Sequence, residues 1–377
     1  FKPVIDACTL CDMCFMVTCP YVPPHDFDLD FPHLILRARS ADLAQGKLGW
    51  ADKALAKTDR NGKLARPVAP VANWASDRRN RLTRPVMQAV AGIHQDASLP
   101  RYHGKTFTMR AKEAPAVNAD APAAGRKVAL FATCFVNYNS PEIGEAARAV
   151  LAHNGVETEV AYPGCCGMPQ LEQGDYAAVA EKAKKTAAAL CEWIDKGYDI
   201  VAPVPSCALM LKFEWPLILP DDPAVKRLAA HTADITEYVV DIAGKEGLAD
   251  GLKPLDGGIA VHLACHARAQ NMGPKAVEML KLIPDADLEI IERCSGHGGA
   301  WGVKKEFFEV ALKVGKPAAR KAARKAAKSG KAHLVSECPL AGEHLRQGIE
   351  AMGDGALAEK PARHPIELFA QAYGLTS

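Results

Sequence analysis

No run of 18 apolar residues occurs anywhere in the 377-residue sequence, which excludes a membrane-spanning helix from it. Net charge is nearly absent: 46 basic and 44 acidic side chains leave +2, so nucleic acid is not an indicated partner. There is no Ser-His-Asp arrangement, no Walker loop and no G-x-G-x-x-G following a strand. The sequence signals of a triad hydrolase, a P-loop nucleotidase and a dinucleotide enzyme are therefore missing. Cysteine, by contrast, is abundant. Twelve are present, and they are clustered. Clustering reads them as metal ligands in a cytoplasmic protein rather than as extracellular bridges. Half the chain is apolar, and a chain of this length buries a core without disulfide staples. The length prior is two or three domains.

The run CTLCDMCFMVTCP carries the sharpest signal. Cys8, Cys11, Cys14 and Cys19 are separated by two, two and four residues, and Pro20 follows. The bacterial iron–sulfur run is C-x2-C-x2-C-x3-C-P, so one residue is extra before Cys19. Soft thiolates select iron–sulfur clusters, zinc or Cu(I). Zinc loops usually pair two cysteines with two distant ligands, so a [4Fe–4S] cluster is the expectation and a zinc knuckle or inert thiols the alternatives. No second C-x2-C-x2-C run occurs. Cys8, Cys11 and Cys14 need a fourth ligand, which leads us to expect a matching loop ahead of Phe1.

From residue 126 onward the pattern alternates strand and helix, and it repeats. KVALFATC (127–134) reads as a strand ending in Cys134, followed by a helix over 141–153 and a strand, VETEVAYP (156–163), into Cys165-Cys166-Gly167. A long helix over 175–195 and a strand IVAPVP (200–205) then deliver Cys207. The second unit has the same order. GIAVHLAC (258–265) leads to Cys265, a helix starts near Pro274, LEIIERC (288–294) leads to Cys294, and HLVSEC (333–338) to Cys338. Cys134 and Cys265 are 131 residues apart, and Cys165 and Cys294 are 129 apart. Strands alternating with helices imply parallel βα units, whose ligands gather at the carboxyl ends of the strands. The thiols of one unit are thus expected to converge on one pocket. Cys191, inside a helix beside Trp193, is expected in the core.

Joined in one chain, these motifs resemble the cysteine-rich CCG-domain iron–sulfur oxidoreductases. The type is related to the heterodisulfide reductase B subunit and is similar to the C subunit of anaerobic glycerol-3-phosphate dehydrogenase. DFPHLILRAR (30–39), LPRYHGKTF (99–107), CFVNYNSPEIG (134–144) and HPIELFAQAYG (364–374) carry the likeness over nearly the whole chain. The resemblance implies an α/β fold of two repeated Rossmann-like parallel cysteine-rich units, 126–250 and 251–377. Half of a ferredoxin-like [4Fe–4S] domain (1–39) and a helical linker (40–125) would precede them. It implies electron transfer between a flavin-bearing or diiron partner and quinone or another acceptor, with peripheral contact on the inner face of the cytoplasmic membrane. A catalytic subunit acting at an atypical cluster, and a non-redox protein with structural metals, are the other readings.

Departures from the family unit, a Cys followed by CCG and C-x2-C, are specific. The first unit keeps Cys134, Cys165, Cys166 and Cys207, enough for a cubane cluster, but Val204 stands where the earlier thiol of C-x2-C would be. The second keeps Cys265, Cys294 and Cys338, with Ser295 and Ala341 in place of thiols. His297 in CSGHGG, or His266 beside Cys265, is the candidate fourth ligand, as His replaces Cys in Rieske centres. A cluster, a single metal such as zinc, and an emptied repeat all remain open there. Two further stretches have two readings each. GHGGAWG (296–302) is either a phosphate cradle or a backbone crowded round a ligand site. KPAARKAARKAAKSGK (316–331) is either a solvated helix face or a contact for acidic lipid or an acidic partner. KEAPAVNADAPAAGRK (112–127) reads as a flexible linker, and residues 21–25 as a cover over the cysteine loop.

Overall fold

The computed structural model describes residues 1–329, 332–353 and 355–375. Its strands are all parallel and form two sheets. In the first, β1 (Lys127–Phe131), β2 (Glu157–Ala161), β3 (Asp199–Ala202) and β4 (Thr232–Asp234) lie in the order β2-β1-β3-β4. In the second, β5 (Gly258–His262), β6 (Leu288–Ile291) and β7 (Ala332–Ser336) lie in the order β6-β5-β7. Each unit therefore places its first strand centrally, its second on one side and its third on the other. Val128, Ala129, Leu130 and Phe131 are fully buried, as continuous apolar runs are in parallel sheets covered by helices on both faces.

The strands stop earlier than their apolar runs suggest, and the thiols stand in the turns beyond them. Cys134 opens the helix Cys134–Tyr138 because Thr133 caps it, its hydroxyl oxygen accepting the Val136 N–H at 3.2 Å. The helices Pro141–His153 and Tyr176–Ile194 fall where the periodicity puts them. Strand β4 is an addition. Three residues are too short for a period-two signal, but they feed the helix Ile235–Lys245 through a capping box made by Asp234 and Glu237.

Short helices occupy the stretch before the sheets: Trp50–Leu55, Thr58–Ala65, Ala69–Ser76 and Thr83–Ala91. The expected flexible linker is instead pinned. The Asn118 N–H donates to the Ala152 carbonyl at 3.0 Å, Arg148 reaches the Glu113 carbonyl at 3.1 Å, and Ala121 and Ala123 are buried. Tyr21, His25 and Phe27 pack on one another and face solvent.

Two devices dock the N-terminal segment. Arg39, on the helix Phe31–Ala44, donates to the carbonyls of Ile5 (2.8 Å), Cys8 (2.6 Å) and Glu172 (2.7 Å). His33 bridges Asp30 at 2.6 Å and Glu214 of the first unit at 3.2 Å, and those two carboxylates push its pKa up to about 10. The basic helix Phe308–Ser329 buries Ala318, Ala319, Ala322 and Ala326, while Lys321 and Lys325 pair with Glu289 and Asp287. Gly330 and Lys331 lie outside the described residues.

Candidate metal centres

The first thiol set gathers at the carboxyl edge of β1, β2 and β3. The Cys166 and Cys207 sulfurs are 3.3 Å apart, and Cys165 lies within hydrogen-bond reach of both Cys134 and Cys166. Gly167 takes a left-handed φ of +89°, which turns its N–H onto the Cys165 sulfur at 3.4 Å. The Thr58 hydroxyl donates to the same sulfur at 3.3 Å. The Cys165 N–H donates to Asp59 at 2.8 Å, and Asp59 also accepts the Tyr162 hydroxyl. Trp215, fully buried, donates its indole N–H to the Cys166 carbonyl at 3.0 Å.

None of these cysteines is in a disulfide. Hydrogen bonding to Cys165, then burial, holds the Cys134 thiol well above its ordinary range, and bonds to Cys165 and Cys207 do the same for Cys166. Cys165 is lowered instead, because Cys134, Cys166, Thr58 and the Gly167 N–H all point at it. Further thiolates here need a positively charged partner. Four soft sulfurs converging without a disulfide fit an iron–sulfur core.

The second set is built the same way. Cys265 opens the helix Cys265–Ala269 after β5, as Cys134 does after β1. Gly296, at φ +80°, turns its N–H onto the Cys294 sulfur at 3.3 Å, repeating the Gly167 device. Cys338 caps the helix Pro339–Glu350 just before its first proline, the place that Val204 holds before Pro205. Cys207 and Ala341 thus correspond, as do Cys166 and Ser295. Each unit keeps the thiol of C-x2-C that the other lacks. Burial raises Cys265 well above its ordinary range and Cys338 to about 11.

The candidate histidines part company. His266 has both ring nitrogens engaged within the protein: Nε2–H donates to the Leu10 carbonyl at 3.1 Å, and Nδ1 accepts the Ser206 hydroxyl at 2.9 Å. It ties the N-terminal loop, the first unit and the second unit together. The His297 ring has no hydrogen-bond partner among the described residues, and burial pushes its pKa down to about 3. His344, which sequence reasoning missed, lies 6.2 Å from it between ring centroids. It is buried, with Nε2 unpartnered among the described residues. No ligand spacing links His344 to Cys338, six positions before it, so only the fold could bring it forward.

The N-terminal loop faces this second set. Cys8, Cys11 and Cys14 are electrostatic neighbours, and Cys11 is also a neighbour of Cys265 and Cys294. The Cys19 N–H closes on the Cys14 carbonyl at 2.8 Å, but no described contact brings its sulfur to the others. One cavity of about 1630 Å³ is lined by Cys8 and Cys11, by Cys134, Cys166 and Cys207, and by Cys265, Cys294 and Cys338.

A family model described as a cysteine-rich domain, CCG, matches residues 128–212. Over 353 residues the chain is 30% identical to the C subunit of anaerobic glycerol-3-phosphate dehydrogenase from Escherichia coli K12, covering 92% of this chain and 82% of that protein. The chain belongs to the cysteine-rich CCG-domain iron–sulfur oxidoreductase family. Lactate utilization protein A of Bacillus pumilus is 32% identical over 189 residues, 47% of this chain and 75% of that protein. The B subunit of fumarate reductase (CoM/CoB) from Methanothermobacter marburgensis is 27% identical over 255 residues, 66% and 47% respectively.

Within this CCG-family chain, the matched stretch contains the whole first set, and the second sheet repeats its topology outside the match. Among the described residues no three Cys, His, Asp or Glu side chains close on a single bare ion. The glycines of 296–302 are packing glycines: a Cβ at Gly296 would lie 2.0 Å from the Ala311 carbonyl oxygen, and one at Gly298 would lie 2.6 Å from Thr9. Cys191 is buried in the core cluster, its sulfur 3.5 Å from the Ala224 carbonyl.

Proposed function

We propose that this chain is an electron-transfer subunit of an oxidoreductase complex, relaying electrons between a flavin-bearing or diiron partner and quinone or another acceptor. The observation that supports it most is the convergence of Cys134, Cys165, Cys166 and Cys207 at one sheet edge. Across a shared cavity Cys134, Cys166 and Cys207 face the thiols of the second sheet and of the N-terminal loop. In this reading Cys8, Cys11 and Cys14 hold one [4Fe–4S] cluster and Cys19 serves a second. The first CCG set holds a third, and Cys265, Cys294 and Cys338 hold a further metal group with His297. Such clusters, when bound, take up and give back single electrons. The protein supplies spacing, exclusion of water, and donors on sulfur. Thr58 and the Gly167 N–H on Cys165 are donors of the kind that set a cluster's potential. Residues 1–39, 40–125, 126–250 and 251–377 would be the working parts: loop, roof and two units.

Among the described residues no helix is long and apolar enough to cross a membrane. We place the peripheral membrane contact on the outer face of residues 60–91, where large apolar side chains stand among basic ones. A second reading, a catalytic subunit reducing a small substrate at the first set, is favoured by one observation: a surface pocket reaches Cys165.

Anaerobic reconstitution, iron and sulfide counts, and EPR during stepwise reduction test the assignment. Replacing Cys165 and Cys166 by Ser should remove one cluster signal and leave those of the N-terminal loop. A reconstituted chain that binds no iron would sink the electron-transfer reading. Survival of every signal in the double variant would sink the first-unit site.

A further inference from the structure

The first thiol set divides two spaces. Cys134, Cys166 and Cys207 line the large cavity, but Cys165 does not; it lines a separate pocket of about 570 Å³. That volume falls within the roughly 300–1,000 Å³ of small-molecule sites. Its cations come from two helical segments: Lys63 and Arg66 from one, Lys182 and Lys185 from the other. Two acids also line it. Asp59 is occupied, accepting the Cys165 N–H and the Tyr162 hydroxyl, with Lys182 3.9 Å away. Glu181 is exposed at the rim, as are Lys63, Arg66 and Lys185. Lys63, Arg66 and Lys185 have no ion-pair partner among the described residues. Three unpaired cations against the one remaining carboxylate, Glu181, leave the concave lining a positive surplus that an anion would settle. Thr106, Thr108 and Asn137 add neutral polar groups to the lining.

We propose that this pocket binds a small organic anion, a carboxylate or a phosphate ester, against the Cys165 side of the first set. Lys63 and Arg66 grip it from one wall and Lys185 from the other. Concavity favours a small molecule over an acidic protein face, which would need a broad, shallow basic surface. The inference deepens the reading of the first set as a redox centre by giving it a ligand of its own. Binding itself needs only the pocket.

The test is calorimetric titration of the full, iron-loaded chain without oxygen, with succinate and inorganic phosphate as probes at constant ionic strength. Saturable binding is expected for at least one of them. The double variant Lys63→Gln/Arg66→Gln should weaken it at least tenfold with iron content unchanged. Lys185→Gln, from the other helix, should weaken it independently, which guards against a folding defect in the first variant. Lys184→Gln, outside the lining, should bind as the parent does. The bound anion should also perturb the EPR signal that Cys165→Ser removes. Competition by phosphatidylglycerol vesicles would identify the anion's source as a lipid headgroup held by the same cations. No saturable binding of either probe, or equal affinity in the parent and both cation variants, would overturn the proposal. A chain that takes up no iron on reconstitution yet binds the anion, and loses it in those variants, would overturn the electron-transfer reading and leave this one standing.

Discussion

His364 caps the last helix, Pro365–Ala372, its Nδ1 accepting the Ile366 N–H at 3.2 Å, and burial pushes its pKa down to about 3. An unfolded histidine takes a proton near pH 6.5, so between about 6.5 and 3 the unfolded state binds the extra proton. Stability contributed by the neutral ring is therefore present above pH 6.5 and lost as pH falls toward 3. The slope is at most about 1.4 kcal/mol per pH unit for this one group. His262, pushed down to about 4 by burial, acts with the same sign. The urea midpoint should drop between pH 7 and pH 5. His364→Asn, which keeps a capping oxygen but does not titrate, should flatten that drop. An identical pH profile in the variant would remove His364 from the account. Burial acts oppositely on the acids that bridge the two units: Asp234 rises to about 6 and Glu337 to about 8.

Equivalent glycines in the two units meet different neighbours. Gly167 and Gly296 both turn an N–H onto the first sulfur of their motif, at φ +89° and +80°. A Cβ at Gly167 would make only ordinary contacts, the nearest at 3.4 Å from the Lys182 side chain. At Gly296 it would run into the Ala311 carbonyl oxygen of the helix Phe308–Ser329, and Gly315 on that helix lies as tightly against Ser295. Gly167→Ala should thus cost about 1 kcal/mol of left-handed strain. Gly296→Ala adds a backbone collision and should cost about 3 kcal/mol or more. Urea unfolding of the two variants decides this, and equal losses would refute it. These elements also mark what sequence could reveal. Apolar runs ending in cysteine announced the parallel units and the thiols beyond their strands, because both signals are local. Thr58 and Asp59 at Cys165, His344 beside His297, and Cys11 facing Cys265 were hidden, because each contact joins distant segments. The segment before β1 misled because alanine and proline signal a loose chain, whereas bonds to the first unit hold it.

The net charge of +2 conceals a lopsided molecule. Residues 60–91 carry seven basic side chains and one acid, Asp77, leaving the rest of the chain at −4. Arg84 is spent internally, buried and bonded to the carbonyls of Gln95, His94 and Ala97. Asn73, Ser76 and Ala91 of this segment line the large cavity, so it roofs the thiols. Its outer face carries Trp74 at 57% exposure, Leu82 at 77%, and the exposed Val71 and Val86, beside the exposed Arg81. Apolar and aromatic side chains framed by basic ones match the interface of an anionic bilayer. The basic helix Phe308–Ser329 matches it less well, since five of its seven alanines are buried and two lysines are paired. The chain should sediment with vesicles containing an anionic phospholipid, less so as salt rises, and weakly with neutral vesicles. Trp74→Ser/Leu82→Ser should cut binding at least tenfold, since each inserted side chain contributes about 1.5–3 kcal/mol. Lys313→Gln/Lys316→Gln on the basic helix should change it little. Binding that survives the first double variant would free this face of the role. A dimer abolished by the same variant would make the face a contact between copies of the chain, and the route from membrane to thiols would have to lie elsewhere.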